Sequence, residues 1–216
     1  SPLFKQVFEQ AIPESWRGSI LQPIHKSGSR TNPHNYRLIA LLDTEAKIYA
    51  SSLLLELENW VFKSLTIIPP TQTGFRPGSS TLTNLLAVTL VAEKMKKKGG
   101  SLFACFVDLK SAFVTVPHDM LWRKMAEWGA PQGLLSAIID LHTATWVQVK
   151  IGDGKSLTKK IGTNTGLKQG CVLAPSLFNI YMADLSNELG RVNCDAPKLM
   201  DIQIASLQYA DDSHAK

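Results

Sequence analysis

Cysteine is scarce: Cys105, Cys171 and Cys194 are the only three in 216 residues. Their number is odd, none forms a CxxC pair and they lie far apart, so neither a disulfide framework nor a zinc site is indicated. The five histidines, His25, His34, His118, His142 and His214, show no metal-ligand spacing either, and ordinary surface or core roles are expected for them. Apolar runs such as residues 85–92 are too short to cross a bilayer, and no basic-then-apolar leader opens the chain. The expectation is an intracellular protein, nuclear or cytoplasmic, with no signal peptide and no membrane partner. Internal repeats, low-complexity tracts and long linkers are also missing, which leaves one globular domain or two lobes sharing a core.

What is present is ordinary in amount, with 44% hydrophobic and 19% charged residues, enough to bury a substantial interior. The charge is not balanced. A net +5 and a pI near 9.1 incline the chain toward a polyanionic partner without requiring one.

The strongest chemical signal is Ser206-Leu207-Gln208-Tyr209-Ala210-Asp211-Asp212, an apolar-leaning run that ends in two adjacent carboxylates. Ionised groups at the end of a packed strand must be hydrated or neutralised, because an unpaired charge against apolar surface is costly. A bound cation neutralises them directly. Residues 101–109 repeat the design: an apolar, aromatic and β-branched run delivers Asp108 at its C-terminal end. If the two strands are neighbours in one sheet, Asp108, Asp211 and Asp212 meet at its rim. Hard divalent cations prefer carboxylate oxygens, and paired ions stabilise both the attacking and the leaving oxygen in phosphoryl or nucleotidyl transfer. Any one Asp, taken alone, reads as a turn or helix cap.

Along the chain, Leu3, Val7 and Phe8 sit at helical spacing and read as the tail of a helix. Strands are expected over 18–26 and 36–42, joined by the polar loop 27–35 and flanked by Lys26 and Arg37. Two cations at the stems of a mobile strand-loop-strand can close over a triphosphate; they read equally well as solvated surface charges. Asp43 or Thr44 can cap a long helix to about residue 64, with Ile48, Leu53, Leu57, Trp60 and Val61 as its apolar stripe. The loop 72–80 leads into a helix from Thr81 that stops at Gly99-Gly100. Near its end, Lys94, Lys96, Lys97 and Lys98 either complement the helix dipole or meet a nucleic-acid backbone.

A helix carrying Met120, Leu121, Met125 and Trp128 and a second over 132–143 read as packing elements. Alternation over 146–152, the Asp153-Gly154 turn signal and a weaker basic strand over 155–162 make the clearest hairpin. Gly166 and Gly170 flank Leu167-Lys168-Gln169 ahead of a helix over 176–189. Such glycines permit close approach of a ligand or template to backbone, although glycine before a helix is also ordinary punctuation.

Taken in order, the phrases Pro23-Ile24-His25-Lys26 with Asn35-Tyr36-Arg37, Gln72-Thr73-Gly74-Phe75-Arg76, Phe106-Val107-Asp108 with Ala112-Phe113, Lys168-Gln169-Gly170-Cys171 with Pro175 and Leu177-Phe178-Asn179, and Tyr209-Ala210-Asp211-Asp212 span nearly the whole chain. Their conjunction resembles the polymerase domain of a reverse transcriptase, most closely the type encoded by LINE-like non-LTR retrotransposons. The resemblance implies an α+β fold, with fingers over about 1–100 and 117–163 and a palm over about 101–116 and 164–216. The palm is expected to be a small antiparallel sheet backed by helices. It also implies RNA-directed DNA polymerase activity on an RNA template and DNA primer, with dNTPs as substrates and two Mg²⁺ ions, for which Mn²⁺ can substitute.

By the same resemblance Asp108 and Asp211 are the principal metal ligands, Asp212 a weaker third, and the backbone carbonyl of Leu109 an additional one. Phe113 falls where the family keeps an aromatic under the sugar of the incoming nucleotide, with palm packing its plainer role. Gln169 and Gly170 are implied to lie against that nucleotide, Lys26 and Arg37 on its triphosphate, and Gly74, Phe75 and Arg76 along the template. Three departures stand out. Val114 replaces a second acid after the aromatic, and Ser79 stands where a further Arg is usual after Gly78. Ser213-His214-Ala215-Lys216 replaces the apolar strand that normally follows the two aspartates. With the thumb absent, the expectation is a truncated domain of weak or no activity. Two alternatives stay open at this level: a non-catalytic nucleic-acid-binding remnant, and a group II intron-type maturase, which shares the motifs. None of these signals encodes the oligomeric state.

Overall fold

The computed structural model describes residues 12–63, 67–76, 78–152, 156–168, 170–191, 196–199, 202–204, 206–208 and 212–213. The expected helix tail over 1–10, the Asp153-Gly154 turn, Gln169 and Asp211 lie outside them. The elements run α1 (Glu14–Arg17), β1 (Gly18–His25), β2 (Tyr36–Leu41), α2 (Thr44–Lys63), α3 (Thr81–Lys97), β3 (Val107–Asp108), α4 (His118–Glu127), α5 (Gln132–His142), β4 (Thr145–Ile151), β5 (Ser156–Leu157), β6 (Ile161–Thr163), α6 (Ala174–Arg191), β7 (Lys198–Leu199), β8 (Ile202–Gln203) and β9 (Asp212–Ser213). The fold is α+β. It divides into two compact units, Ser1–Lys63 with Phe113–Ala174, and Ser64–Ala112 with Pro175–Lys216.

The first unit holds a mixed sheet in which β2, β1 and β4 are successive neighbours and both β5 and β6 pair with β4. β1 and β2 are antiparallel from Ile20↔Leu41 to His25↔Tyr36. β1 and β4 are parallel from Gly18↔Trp146 to Leu21↔Val149. A parallel neighbour needs a long crossover that no local signal announces, so hairpin patterning finds β1–β2 and β4–β6 but not β1–β4. Gly18 is required at its place: a Cβ there would lie 2.2 Å from the Trp146 indole. The Lys160 ammonium covers that indole, 4.1 Å from the ring centroid.

Helix α2 buries Ala46, Tyr49, Ala50, Leu53, Leu57 and Trp60, positions that recur every three or four residues along one face. Ile48 was expected on this stripe but is 54% exposed, because it falls on the far side of the helix from that face. The Asp43 carboxylate caps the helix by accepting from Glu45 N at 2.9 Å. Leu121 and Met125 of α4 and Leu134, Leu135, Ile138 and Leu141 of α5 complete the interior, while Met120 faces out. Arg17 closes α5 from outside, donating to the Asp140 carboxylate at 2.7 Å and to the Asp140 and Thr143 carbonyls at 2.7 and 2.6 Å. A guanidinium there meets carbonyls at the helix C-terminus, where Asp140 O also accepts from Thr143 N at 3.2 Å, and the negative end of its dipole.

The second unit carries α3, most of α6 and the strand pairs β3–β9 and β7–β8. The apolar run over 101–109 is not a long strand: among the described residues only Val107 and Asp108 of it pair, and Phe103 is 95% exposed. Apolar composition alone does not make a strand; a ladder needs a partner, and β9 offers two opposing residues. Helix α6 starts at Ala174, ahead of the expected Ser176, because Pro175 suits a first turn that has no use for its missing N–H. Leu177, Phe178, Ile180 and Ala183 are its buried face. Of the lysine run, Lys94 has a structural part, donating to the Lys198 carbonyl at 2.6 Å. No helix among the described residues is long and apolar enough to cross a membrane.

His142 is 5% exposed and its Nδ1–H donates to the Ile138 carbonyl at 2.8 Å. Burial, with His118 and Lys168 nearby, pushes its pKa down from 6.5 to about 4. Between those values the unfolded chain holds a proton that the folded chain refuses, so stability is full above pH 6.5 and is lost as pH falls toward 4. Urea unfolding at pH 7, 5.5 and 4.5 is expected to show a loss of roughly 2 kcal/mol from this group. His142→Leu should flatten that slope, and an unchanged slope would assign the acid sensitivity elsewhere.

Candidate functional site

The β3–β9 register sets Asp108 directly opposite Asp212 and Val107 opposite Ser213. Opposed residues of an antiparallel pair stand about 5 Å apart at Cα, so the expected meeting of the two acidic segments is met for this pair. Leu109, whose carbonyl was expected to join the site, directly follows Asp108. Asp211 precedes β9 and lies outside the described residues. Among those described, no group of three His, Cys, Asp or Glu side chains is assembled. The donor type, carboxylate oxygen on paired strands, is the one hard divalent cations take.

In the same unit the loop 72–76 is built around buried amides. Gln72 and Gln208 form a parallel β-bridge, with Thr73 N donating to Gln208 O at 3.0 Å and Gln208 N to Thr71 O at 2.9 Å. Asn84 Nδ2 donates to the same Gln208 carbonyl at 3.1 Å. Gly74 is gripped from both sides, its N–H on Gln72 Oε1 at 3.0 Å and its carbonyl accepting from Asn179 Nδ2 at 2.8 Å. Arg76 turns inward, donating to Pro69 O at 3.1 Å. Phe75 takes a left-handed φ of 56° and is 49% exposed. A non-glycine residue held there is strained by about 1–2 kcal/mol, which the clamps on Gly74 sustain. Sequence reasoning gave no role to Gln208, Asn84 or Asn179; Gln208 sits inside the acidic motif itself, and Asn179 inside a phrase that counted only toward the family resemblance and the helix.

The other expected residues belong to the first unit. Lys26 and Arg37 are exposed at the loop end of the β1–β2 hairpin, where Arg37 pairs with Ile24 and Lys26 N donates to Asn35 O at 2.8 Å. The loop between them, expected to be mobile, closes on itself through Asn35 Nδ2 on Ser29 O, Tyr36 Oη on Arg30 O and His34 N on Asn32 Oδ1. Phe113 is half-buried, and its carbonyl accepts from Leu167 N at 2.7 Å. Gly166 N donates to Val116 O at 2.8 Å. Gly166, at φ +86°, lies so close to Val114 that a Cβ would come 2.6 Å from its carbonyl oxygen. Gly170, at φ +116°, presses on strand β2, where a Cβ would come 2.8 Å from Ala40 O. The glycines therefore serve close backbone approach, one to the Phe113 segment and one to the strand that carries Arg37. Lys168 between them donates to Arg17 O at 2.8 Å. Burial pushes its pKa down to about 8, with the Arg17 charge acting in the same sense and Cys171 against it.

Comparison with known proteins gives a consistent picture. The sequence profile of the family described as "Reverse transcriptase (RNA-dependent DNA polymerase)" matches residues 24–214. An "RNA-directed DNA polymerase from mobile element jockey" of Drosophila melanogaster is 31% identical over 205 residues, 94% of this chain and 21% of that protein. A retrovirus-related Pol polyprotein from a type-1 retrotransposable element of Popillia japonica is 26% identical over 201 residues, 93% of this chain and 27% of that one. The chain thus spans about a quarter or less of the length of these curated relatives. In fold it is similar to telomerase from Candida albicans, with a TM-score of 0.59 and 11% identity over 98% of this chain and 40% of the other.

The close approach at Gly166 has a measurable cost. Gly166→Ala adds strain at a positive φ to a backbone clash and should lower stability by about 3 kcal/mol. Gly99→Ala, at φ +67° with nothing near its Cβ, should cost about 1 kcal/mol. Urea denaturation of both decides; equal losses would mean that the 166–171 loop is not confined.

Proposed function

Because the chain belongs to the reverse transcriptase (RNA-dependent DNA polymerase) family, we propose that it carries out RNA-templated DNA synthesis, adding dNTPs to a primer 3′-hydroxyl. The observation that carries this reading is the β3–β9 register, which brings Asp108 opposite Asp212 from distant parts of the chain. Asp108, Asp211 and Asp212, with the Leu109 carbonyl, are the residues that would hold two Mg²⁺ ions. Bound there, such ions supply Lewis-acid charge to the attacking and leaving oxygens.

The bond formed joins the primer O3′ to the dNTP α-phosphorus, and the bond broken releases pyrophosphate, with the hydroxyl proton passing to solvent. Lys26 and Arg37, exposed on one hairpin, suit the triphosphate. Phe113 supports the sugar, where its ring excludes a 2′-hydroxyl, and Gln169 and Gly170 lie against the incoming nucleotide. Gly74, Phe75 and Arg76 follow the template, Phe75 as an exposed aromatic on a clamped loop. The partners on this reading are an RNA template, a DNA primer and dNTPs. The fingers and palm divided as the motifs imply belong to the same reading.

Extension of a labelled primer on an RNA template in Mg²⁺ tests it. In a protein lengthened by a related element's downstream segment the wild-type sequence should extend, and Asp108→Asn and Asp211→Asn should each lower the rate about a thousandfold or more while leaving primer-template affinity unchanged. Extension that survives both substitutions would sink the assignment. Phe113→Val should raise rNTP relative to dNTP incorporation by about tenfold, whereas an unchanged ratio would confine Phe113 to packing.

A further inference from the structure

Two side chains that hold the 166–171 loop have no part in the chemistry above. His118, the first residue of α4, brings Nε2 to 2.7 Å from the Gly166 carbonyl. A carbonyl oxygen only accepts, so Nε2 carries the proton and donates. The imidazole is fixed from behind, its ring 5.5 Å from Trp122 and 5.6 Å from an edge-on His142. Pro117, just before it, forms a β-bridge with Thr165, just before Gly166. On the other flank Lys168 reaches the Arg17 carbonyl, and Arg17 is itself fixed on Asp140 and Thr143. Between these two ties lie the Leu167 N–H on Phe113 O and, next along, the contact of Gly170 with Ala40.

We propose that His118 and Lys168 are positioning residues for the incoming nucleotide, pegging the 166–171 loop so that it holds Phe113 and strand β2 at a fixed separation. The proposal rests on the polymerase reading. Neither side chain touches substrate; each sets where the loop backbone lies. Losing a peg lets Phe113 and Gly170 move apart, which weakens dNTP capture and blurs the sugar gate, while the aspartates of the other segment are untouched. A merely structural role would lower folding stability without favouring one sugar over the other.

The two ring nitrogens allow a sharp test. A glutamine at 118 presents an amide N–H near the place of Nε2, whereas an asparagine reaches only as far as Nδ1. In single-nucleotide extension, His118→Gln should keep the KM for dNTP and the dNTP/rNTP preference within about twofold of wild type. His118→Asn, His118→Leu and Lys168→Met should raise KM about tenfold and lower the preference severalfold, with kcat within about threefold and primer-template affinity unchanged. Equal behaviour of the Gln and Asn variants, or wild-type KM in His118→Leu and Lys168→Met, overturns the proposal.

A second measurement does not depend on activity. In a Cys105→Ser, Cys194→Ser background, iodoacetamide reports the buried Cys171 thiol. Its alkylation should be about tenfold faster in the Asn, Leu and Met variants and unchanged in His118→Gln. Uniform rates overturn the pegging. Graded rates with a wild-type protein that does not extend primers would support the pegs and overturn the polymerase reading with the nucleotide role built on it.

Discussion

Much of the first unit hangs on the Arg17 guanidinium. It neutralises Asp140, caps the carbonyl end of α5 and offers its own carbonyl to Lys168, while the next residue, Gly18, starts the sheet beneath Trp146. Arg17 is the better-buried partner of the pair, its side chain 14% exposed against 39% for Asp140. Charge-assisted bonds from a pre-organised fork survive such partial burial, where a lone exposed ion pair would contribute little. The same residue therefore joins α1, α5, the mixed sheet and the 166–171 loop, and the loop inherits its position from the core.

Legibility followed the range of the interactions. Elements specified by local pattern, such as β1, β2, α2 and α5, stand where periodicity and caps put them, because burying one face is a property of neighbouring residues. The expected stripe on α2 fails at Ile48, which is apolar but lies on the side of the helix away from Leu53 and is exposed. Elements that need a distant partner were not legible: the β1–β4 pairing, and the failure of 101–106 to form a strand. The acidic residues were legible as chemistry, since carboxylates at strand ends demand a counter-charge whatever the pairing. The residues that hold the loops, Gln208 and Asn84 in the second unit and His118 and Lys168 in the first, gave no such signal, because a polar group that bonds a backbone carbonyl looks in sequence like any surface polar group.

The two kinds of glycine also separate on physical grounds. Gly99 and Gly129 take positive φ with open space around them, so they only end helices. Gly166 and Gly170 combine positive φ with a neighbouring backbone that leaves no room for a Cβ. A motif letter means close approach only in the second case, and that distinction is three-dimensional.

The β3–β9 pair raises a last question of register. Two opposing residues are too few to fix their own alignment, and a slip by one would carry Asp212 to the other face of the pair. The nearest described anchor upstream is Gln208. Gln208 bonds Thr71 and Thr73 through its backbone, receives Asn84 on the same carbonyl and meets Gln72 with its side chain, all in the interior. Apolar packing at that position would tolerate sliding, since a methylene has no preferred partner atom. The backbone bonds of Gln208 and the Asn84 N–H do not, because each of these donors or acceptors, once misplaced, is left unpaired at a cost of about 1–3 kcal/mol, although Gln208 Nε2 and Asn84 Oδ1 are themselves buried without a partner. A polar interior thus anchors the chain three residues before the acidic pair, and it ties the loop bearing Phe75 to the same reference point.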